Sequence, residues 1–166
     1  MSLSNQTCRL GMGVRQRWWV APDYIEYYKN LECLFNMDNK EKGRIGLITA
    51  ISYFGLNGYT ISIPLNDTQW YDLVVEKDGI LKTVQCKCTT TLDNSISLRN
   101  TGGTNDKEYD NVLNHPLDYL FCTDTVNSWL IPVEDIKKFK NKSSIYLRTE
   151  PNKNGQGFNT YKYLIN

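Results

Sequence analysis

Tyr59-Thr-Ile-Ser-Ile-Pro-Leu65, Trp70-Tyr-Asp-Leu-Val-Val-Glu76 and Leu81-Lys-Thr-Val-Gln-Cys-Lys-Cys-Thr-Thr90 are the three consecutive segments that decide the fold of this chain. Each segment is short and bounded by polar or turn-forming residues, a pattern typical of β-strands. Asp78-Gly79 separates the second segment from the third, and this dipeptide favours a tight two-residue turn. The sequence therefore predicts three successive strands, the last two joined as an antiparallel hairpin.

Side-chain alternation groups three polar residues on one side of this hairpin. Asp72 lies near the centre of the second predicted strand, and Gln85 and Lys87 share one face of the third. A carboxylate and an amide oxygen can hold a hard divalent cation such as Mg²⁺, and a nearby lysine can orient water or stabilise developing charge. One interpretation of the pattern is therefore a catalytic site in which all three residues take part and Asp72 and Gln85 bind the metal.

A second interpretation of the same pattern involves no catalysis. Asp72 would cap the start of its strand, and Gln85 and Lys87 would lie on a solvated face of the next strand. The spacing alone favours neither interpretation, because a pattern this short often arises by chance.

A helix is predicted immediately before the three strands, from about Asp38 to Leu56. Asp38 followed by Glu41 is typical of a capping box, and Asn57-Gly58 is a helix-ending pair. One broad face of this helix is predicted to be apolar and to pack on the sheet, with Leu47, Ile51 and Phe54 at its centre and Ile45 and Ile48 flanking it.

The rest of the chain after residue 91 predicts shorter elements. Strands are expected at Ile96–Arg99, Asp118–Thr123 and Ser128–Ile131, a short helix at Val133–Phe139 and a final strand at Ile145–Arg148. Two glycine-containing loops, at residues 100–107 and 152–158, complete the pattern. The first could follow a DNA groove or could be a plain connector.

The first 36 residues differ from the rest, and we predict two parts: an N-terminal extension, 1–36, and a main domain, 37–166. The extension contains a predicted short helix, Pro22–Phe35, preceded by Arg15-Gln-Arg17-Trp18-Trp19. This basic and aromatic run could contact DNA, with arginine on phosphate and tryptophan against a base. It could equally pack on the main domain.

Composition limits the possible classes of protein. Forty per cent of the 166 residues are apolar, enough for one buried core, and no apolar run is long enough to cross a membrane. The five cysteines form neither a disulfide framework nor a zinc ligand set, and no secretory signal is evident, so we expect an intracellular protein in the cytoplasm or nucleoid. The net charge of the whole chain is only +1, but the segment from Ile136 to the end is basic. This segment could be a phosphate-facing surface or an ordinary solvated turn.

The order of motifs from Lys40 to Thr91 resembles that of the PD-(D/E)xK nuclease superfamily, and more narrowly its group I intron-encoded homing endonucleases. The shared features are Lys42-Gly-Arg-Ile-Gly46, Asn57-Gly-Tyr59, Ile63-Pro-Leu65, Tyr71-Asp-Leu-Val-Val75 and Val84-Gln-Cys-Lys-Cys-Thr-Thr90.

The resemblance implies an α/β fold like that of restriction endonucleases, with a mixed central β-sheet flanked by helices. It implies a Mg²⁺-dependent, site-specific double-strand DNA endonuclease in which Asp72 binds the metal, Gln85 is the second ligand or its neighbour, and Lys87 is the catalytic lysine. The expected partner is double-stranded DNA, and the expected assembly is a homo-oligomer, a dimer or a tetramer. Arg15, Arg17, Arg99 and Lys107 are the candidate DNA-binding residues.

Leu47 departs from the family pattern, which commonly has a glutamate directly after the Ile-Gly pair of this helix. Asp72 and Gln85 could suffice, another acid such as Asp67 could contribute, or activity could be reduced or lost. The last case would leave a catalytically inactive DNA-binding protein on the nuclease scaffold. A structural or protein-interaction domain is the third possibility.

Overall fold

The fold is seen in a computed structural model that describes residues 37–66, 68–99, 112–139, 143–151 and 158–165. All of these residues belong to one compact unit of the chain. The predictions for residues 1–36, for Lys107 and for Asp67 lie outside the described residues. Within the described ranges, neither helix combines the length and the apolar character that crossing a bilayer requires.

The described part of the chain contains two α-helices, two 3₁₀ turns and eight strands. In chain order the elements are α1 (Asn39–Leu56), β1 (Thr60–Ser62), β2 (Leu73–Lys77), β3 (Ile80–Cys88), β4 (Ser95–Ser97), a 3₁₀ turn (Val112–Asn114), β5 (Tyr119–Thr123), β6 (Ser128–Pro132), α2 (Val133–Lys137), β7 (Ser144–Tyr146), a second 3₁₀ turn (Thr160–Tyr163) and β8 (Leu164–Ile165).

Six of the strands form a mixed sheet in the order β1-β2-β3-β5-β6-β8, and β4 pairs with β7 in a separate two-stranded sheet. Neighbours in the large sheet are antiparallel except β3 and β5, which are parallel. The predicted α/β class with a mixed central sheet is confirmed. The prediction of a final strand at Ile145–Arg148 is wrong, because Ser144–Tyr146 lies in the small sheet and Leu164–Ile165 is the last strand.

Local sequence signals fix α1 and the β2–β3 hairpin as expected. The Asp38 carboxylate accepts a hydrogen bond from Glu41 N at 2.8 Å, and Glu41 returns one to Asp38 N, so the capping box is complete. Asp78 and Gly79 both have positive φ, 54° and 77°, as a type I′ hairpin turn requires. The hairpin places β2 and β3 in antiparallel register, with Leu73 opposite Val84.

Asp118 secures the start of the parallel β3–β5 pair. Its Oδ1 accepts a hydrogen bond from Lys82 Nζ at 2.8 Å, and its Oδ2 accepts bonds from Thr83 N at 2.9 Å and Thr83 Oγ1 at 3.0 Å. Burial tends to raise the pKa of this carboxyl, but the hydrogen bonds from Lys82 and Thr83 outweigh it and hold the pKa below its usual value. One ionised side chain thus joins two strands that are distant in sequence.

The large sheet is buried on both faces, because neighbouring residues of its central strands enter different cores. Phe121 packs with the α1 side, whereas Leu120 and Cys122 pack on the opposite side with Trp129 and Ile131. The buried residues of α1 are Gly46, Ala50 and Phe54. The predicted apolar face is therefore rotated: Leu47 and Ile51 are only partly buried, and Ile48 is 56% exposed.

Candidate active site

The β2–β3 hairpin brings Asp72 and Gln85 into direct contact. Asp72 Oδ2 accepts a hydrogen bond from Gln85 Nε2 at 2.6 Å and one from the backbone N–H of Cys86 at 2.7 Å. Asp72 immediately precedes β2, so the prediction that it lies near the centre of a strand is wrong. Its backbone N–H nevertheless donates to Val84 O at 2.9 Å, which ties the residue to β3. The carboxylate is therefore held in one orientation.

Lys87 lies on the same face of β3 as Gln85. Its Nζ donates to the backbone carbonyl of Arg99 at 3.4 Å, so the ammonium lies between β3 and the residues after β4. Asp72 and Lys87 interact electrostatically, and each opposes the effect that burial has on the other. The structure thus groups all three predicted residues, Asp72, Gln85 and Lys87.

Burial dominates the ionisation of this group. It raises the pKa of Asp72, while the Cys86 N–H and the Lys87 ammonium partly oppose the rise. Burial also lowers the pKa of Lys87, and Asp72 partly opposes that change. Because burial disfavours the charged form of both residues, the site is suited to additional charged groups, such as a cation and a phosphate, that would compensate both.

Two oxygen atoms of the group are suited to a hard divalent cation. Among the described residues, nothing donates a hydrogen bond to Asp72 Oδ1 or to the amide oxygen of Gln85. The same part of the chain contains no cluster of three or more His, Cys, Asp or Glu side chains that could hold a metal. One carboxylate and one amide oxygen fit Mg²⁺, which keeps several water ligands and needs few from the protein.

These residues form the floor of an open cleft of about 660 Å³. One wall is the first half of α1, and the other is β4 with Arg99, two residues beyond it. The floor residues are Asp72, Gln85, Cys86, Lys87 and Cys88; the α1 wall is Asn39, Lys42, Gly43, Arg44 and Leu47; the opposite wall is Ser95, Ile96, Ser97 and Arg99.

Leu47 faces this cleft from α1, at the position where the resemblance leads one to expect glutamate. Asp72 is consequently the single carboxylate among the described lining residues, whereas four lysines or arginines line the same cleft. Glu41 does not replace the missing acid, because its side chain completes the capping box with Asp38. The cleft therefore has an excess of positive charge, which suits a phosphodiester.

The other predicted DNA-binding residues differ in outcome. Arg99 lines the cleft, whereas Arg15, Arg17 and Lys107 lie outside the described residues. In the basic C-terminal segment, Lys137 pairs with Glu134 at 3.0 Å and Lys138 pairs with Asp135. These two lysines are neutralised within α2 and its end, which favours the interpretation of an ordinary solvated turn there.

Lys42 and Arg44 were not predicted as site residues from the sequence. Two signals were available. The motif Lys42-Gly-Arg-Ile-Gly46, which carries part of the resemblance, contains both residues. In addition, Asn39, Gly43 and Leu47 recur every four residues, so they and Lys42 lie on one side of α1. Which side of α1 would face the active site depended on how α1 docks on the sheet. Among the described residues, Cys86, Cys88 and Cys122 are free thiols.

Comparison with known proteins identifies relatives of this arrangement. A family model described as PD-(D/E)XK endonuclease matches residues 37–163. Among solved structures, the bacterial homing endonuclease I-Ssp6803I is similar with a TM-score of 0.59 and 24% sequence identity, over 77% of this chain and 89% of that chain. At this identity the likeness concerns the fold. No curated protein matches the chain significantly.

Proposed function

This chain belongs to the PD-(D/E)XK endonuclease family, and we propose that it is a Mg²⁺-dependent endonuclease that cuts both strands of double-stranded DNA at specific sites. The observation that supports this proposal most directly is the group of Asp72, Gln85 and Lys87 on the floor of a positively charged cleft.

Each member of the group has a distinct proposed role. Asp72 and Gln85 would bind Mg²⁺ through Oδ1 and the amide oxygen, while Asp72 Oδ2 remains fixed by Gln85 Nε2 and Cys86 N. Bound there, the cation would polarise the scissile phosphate and lower the pKa of a coordinated water. Lys87 would orient the attacking water or stabilise the negative charge that develops on the phosphate. The Arg99 carbonyl accepts a hydrogen bond from the Lys87 ammonium within the cleft.

DNA binding would depend mainly on contacts to phosphates. Arg44 and Arg99 lie on opposite walls of the cleft, where they could contact the strand that is cut. Affinity should therefore fall steeply with salt. In a plot of the logarithm of the association constant against the logarithm of the salt concentration, each phosphate neutralised should add about −0.9 to the slope. Site specificity would come from loops that reach the bases, and Arg15, Arg17 and Lys107 remain candidates for this wider surface.

The biological setting is a finer part of the proposal. The similar solved structure is that of a bacterial homing endonuclease, and the motifs of residues 40–91 suggest the same role here, encoded within an intron. We propose a homo-oligomer, a dimer or a tetramer, because cutting both strands of a long site needs two active sites related by symmetry. We also propose that residues 1–36 form an extension to the nuclease domain at 37–166, and that the protein is intracellular.

Cleavage of supercoiled plasmid that contains the host insertion site, with and without Mg²⁺, tests the proposal. Asp72→Asn and Lys87→Ala should each reduce the cleavage rate by about 10³-fold or more, because each removes a group that acts on the transition state. Lys40→Ala is the matched control, since Lys40 is exposed on α1 and does not line the cleft.

The outcome separates three explanations. Wild-type cutting that Asp72→Asn leaves unchanged would show that the assigned site is wrong. Mg²⁺-independent cutting would refute the proposed cofactor. DNA binding by gel shift, with no cutting by wild type under any divalent cation, would favour the inactive DNA-binding alternative that Leu47 suggests.

A further inference from the structure

The α1 wall of the cleft is chemically unlike the floor. Its lining residues are two cations, one amide, one glycine and Leu47, and none of them has a carboxylate. A wall without an acid offers a divalent cation little more than one amide oxygen. It is suited to an anion instead, and the anion in an endonuclease cleft is a phosphate of the DNA backbone.

Lys42 is a residue of this wall that lies near the end of β3, the strand that contains Lys87. It is one helical turn before Gly46, and a Cβ built on Gly46 would lie only 3.4 Å from the backbone carbon of Lys87. In a helix, residues four apart lie on the same side, so Lys42 projects over the end of β3. It is half-buried there and lines the cleft. Helix packing thus sets the position of the Lys42 ammonium.

The electrostatic environment of Cys88 supports this placement. Burial raises the pKa of the Cys88 thiol, and the Lys42 ammonium partly opposes the rise, as a nearby positive charge does. Cys88 follows Lys87 directly on β3. The Lys42 charge therefore acts on the same end of the strand that presents the catalytic lysine.

No carboxylate neutralises Lys42 in the described part of the chain. The ion pairs found there join Lys82 to Asp118, Lys137 to Glu134 and Lys138 to Asp135, all outside the cleft. Lys42 differs in this respect from the lysines at the end of α2. Its ammonium can therefore pair with an incoming phosphate without breaking an internal ion pair.

We propose that Lys42 is a phosphate-binding residue of this endonuclease, which holds the backbone of the cut strand against α1 while Asp72 and Gln85 hold the cation on the floor. The proposal rests on the proposed function and adds a contact that the resemblance did not supply. It also makes phosphate binding the role of the α1 wall. Leu47 cannot supply this role, because a leucine binds neither metal nor phosphate.

Binding of a 30-base-pair duplex of random sequence, measured by fluorescence anisotropy in EDTA, tests this contact apart from catalysis. Phosphate contacts do not depend on base sequence, so this probe is sufficient. Lys42→Met keeps the apolar stem and removes the charge; it should weaken binding about tenfold and reduce the log–log salt slope by about 0.9. Lys42→Arg should restore most of the affinity.

Lys40→Met is the matched control, on the same helix but outside the cleft, and its effect should be less than about twofold because exposed charges contribute little. Equal losses in Lys40→Met and Lys42→Met, or no loss in either, would overturn the proposal. Circular dichroism melts of the variants exclude unfolding as the cause. A wild type that binds but does not cut would instead refute the proposed function and leave the Lys42 result intact.

Discussion

Gly46 sets the distance between α1 and the strand that contains Lys87, so its replacement should affect catalysis from outside the cleft. A Cβ at this position would lie 3.4 Å from the backbone carbon of Lys87, and 3.5 Å from both Cβ and N of Cys88. These are contact distances, so a single methyl group fits without displacing either element. Any larger side chain has no room toward β3.

Alanine and valine at position 46 should therefore have opposite effects. Gly46→Ala should stabilise the protein by up to about 1 kcal/mol, because alanine favours a helix interior over glycine. Gly46→Val adds two carbons about 1.5 Å beyond the Cβ, which cannot fit against the β3 backbone. Overpacking of this kind costs about 1–3 kcal/mol and is relieved only when the helix moves. That movement would displace Lys42 relative to Lys87.

Urea unfolding and single-turnover plasmid cleavage measure the two effects separately. Gly46→Val should cut more slowly by about tenfold or more, since misplacement of about 1 Å can cost 10²-fold in rate. Gly46→Ala should cut at the wild-type rate. If Gly46→Val matched Gly46→Ala in both stability and rate, the close approach of α1 to β3 would not be what positions the site.

Three further predictions concern stability. The pKa of Asp118 lies below its usual value of 3.8 in the folded state, so its stabilising effect should be complete above about pH 4 and lost as the pH falls through the folded pKa. Asp118→Asn should therefore make the free energy of unfolding, followed by fluorescence, depend less on pH in acid. The same variant should cost about 1 kcal/mol of stability at pH 7. Trp129 is fully buried and donates to Arg148 O at 3.0 Å, so Trp129→Phe should lower the free energy of unfolding by about 1–3 kcal/mol, whereas an unchanged urea midpoint would contradict this. Gly79→Ala, at φ 77°, should cost about 1–2 kcal/mol in thermal melts and leave DNA cutting unchanged.

The part of the site that could be predicted from sequence is the part made by one hairpin. Asp72 and Gln85 are separated by a single tight turn, and strand alternation then places Lys87 on the same side as Gln85. The exact residue at which β2 begins could not be predicted from strand alternation. Asp72 precedes the strand, and its carboxylate accepts a hydrogen bond from Cys86 N, a contact that side-chain periodicity does not reveal.

The sequence by itself determined the elements whose signals are local: the Asp38–Glu41 cap of α1, the Asp78-Gly79 turn, and the grouping of the three residues proposed to be catalytic. Only the tertiary structure decided the parallel pairing of β3 with β5, which joins segments separated by more than thirty residues in sequence. The same holds for the docking of α1 through Gly46, which turns Lys42 and Leu47 toward the cleft. The physical reason is that caps, turns and alternation depend on neighbours in the chain, whereas the side of a helix that is buried depends on which surfaces fit closely together.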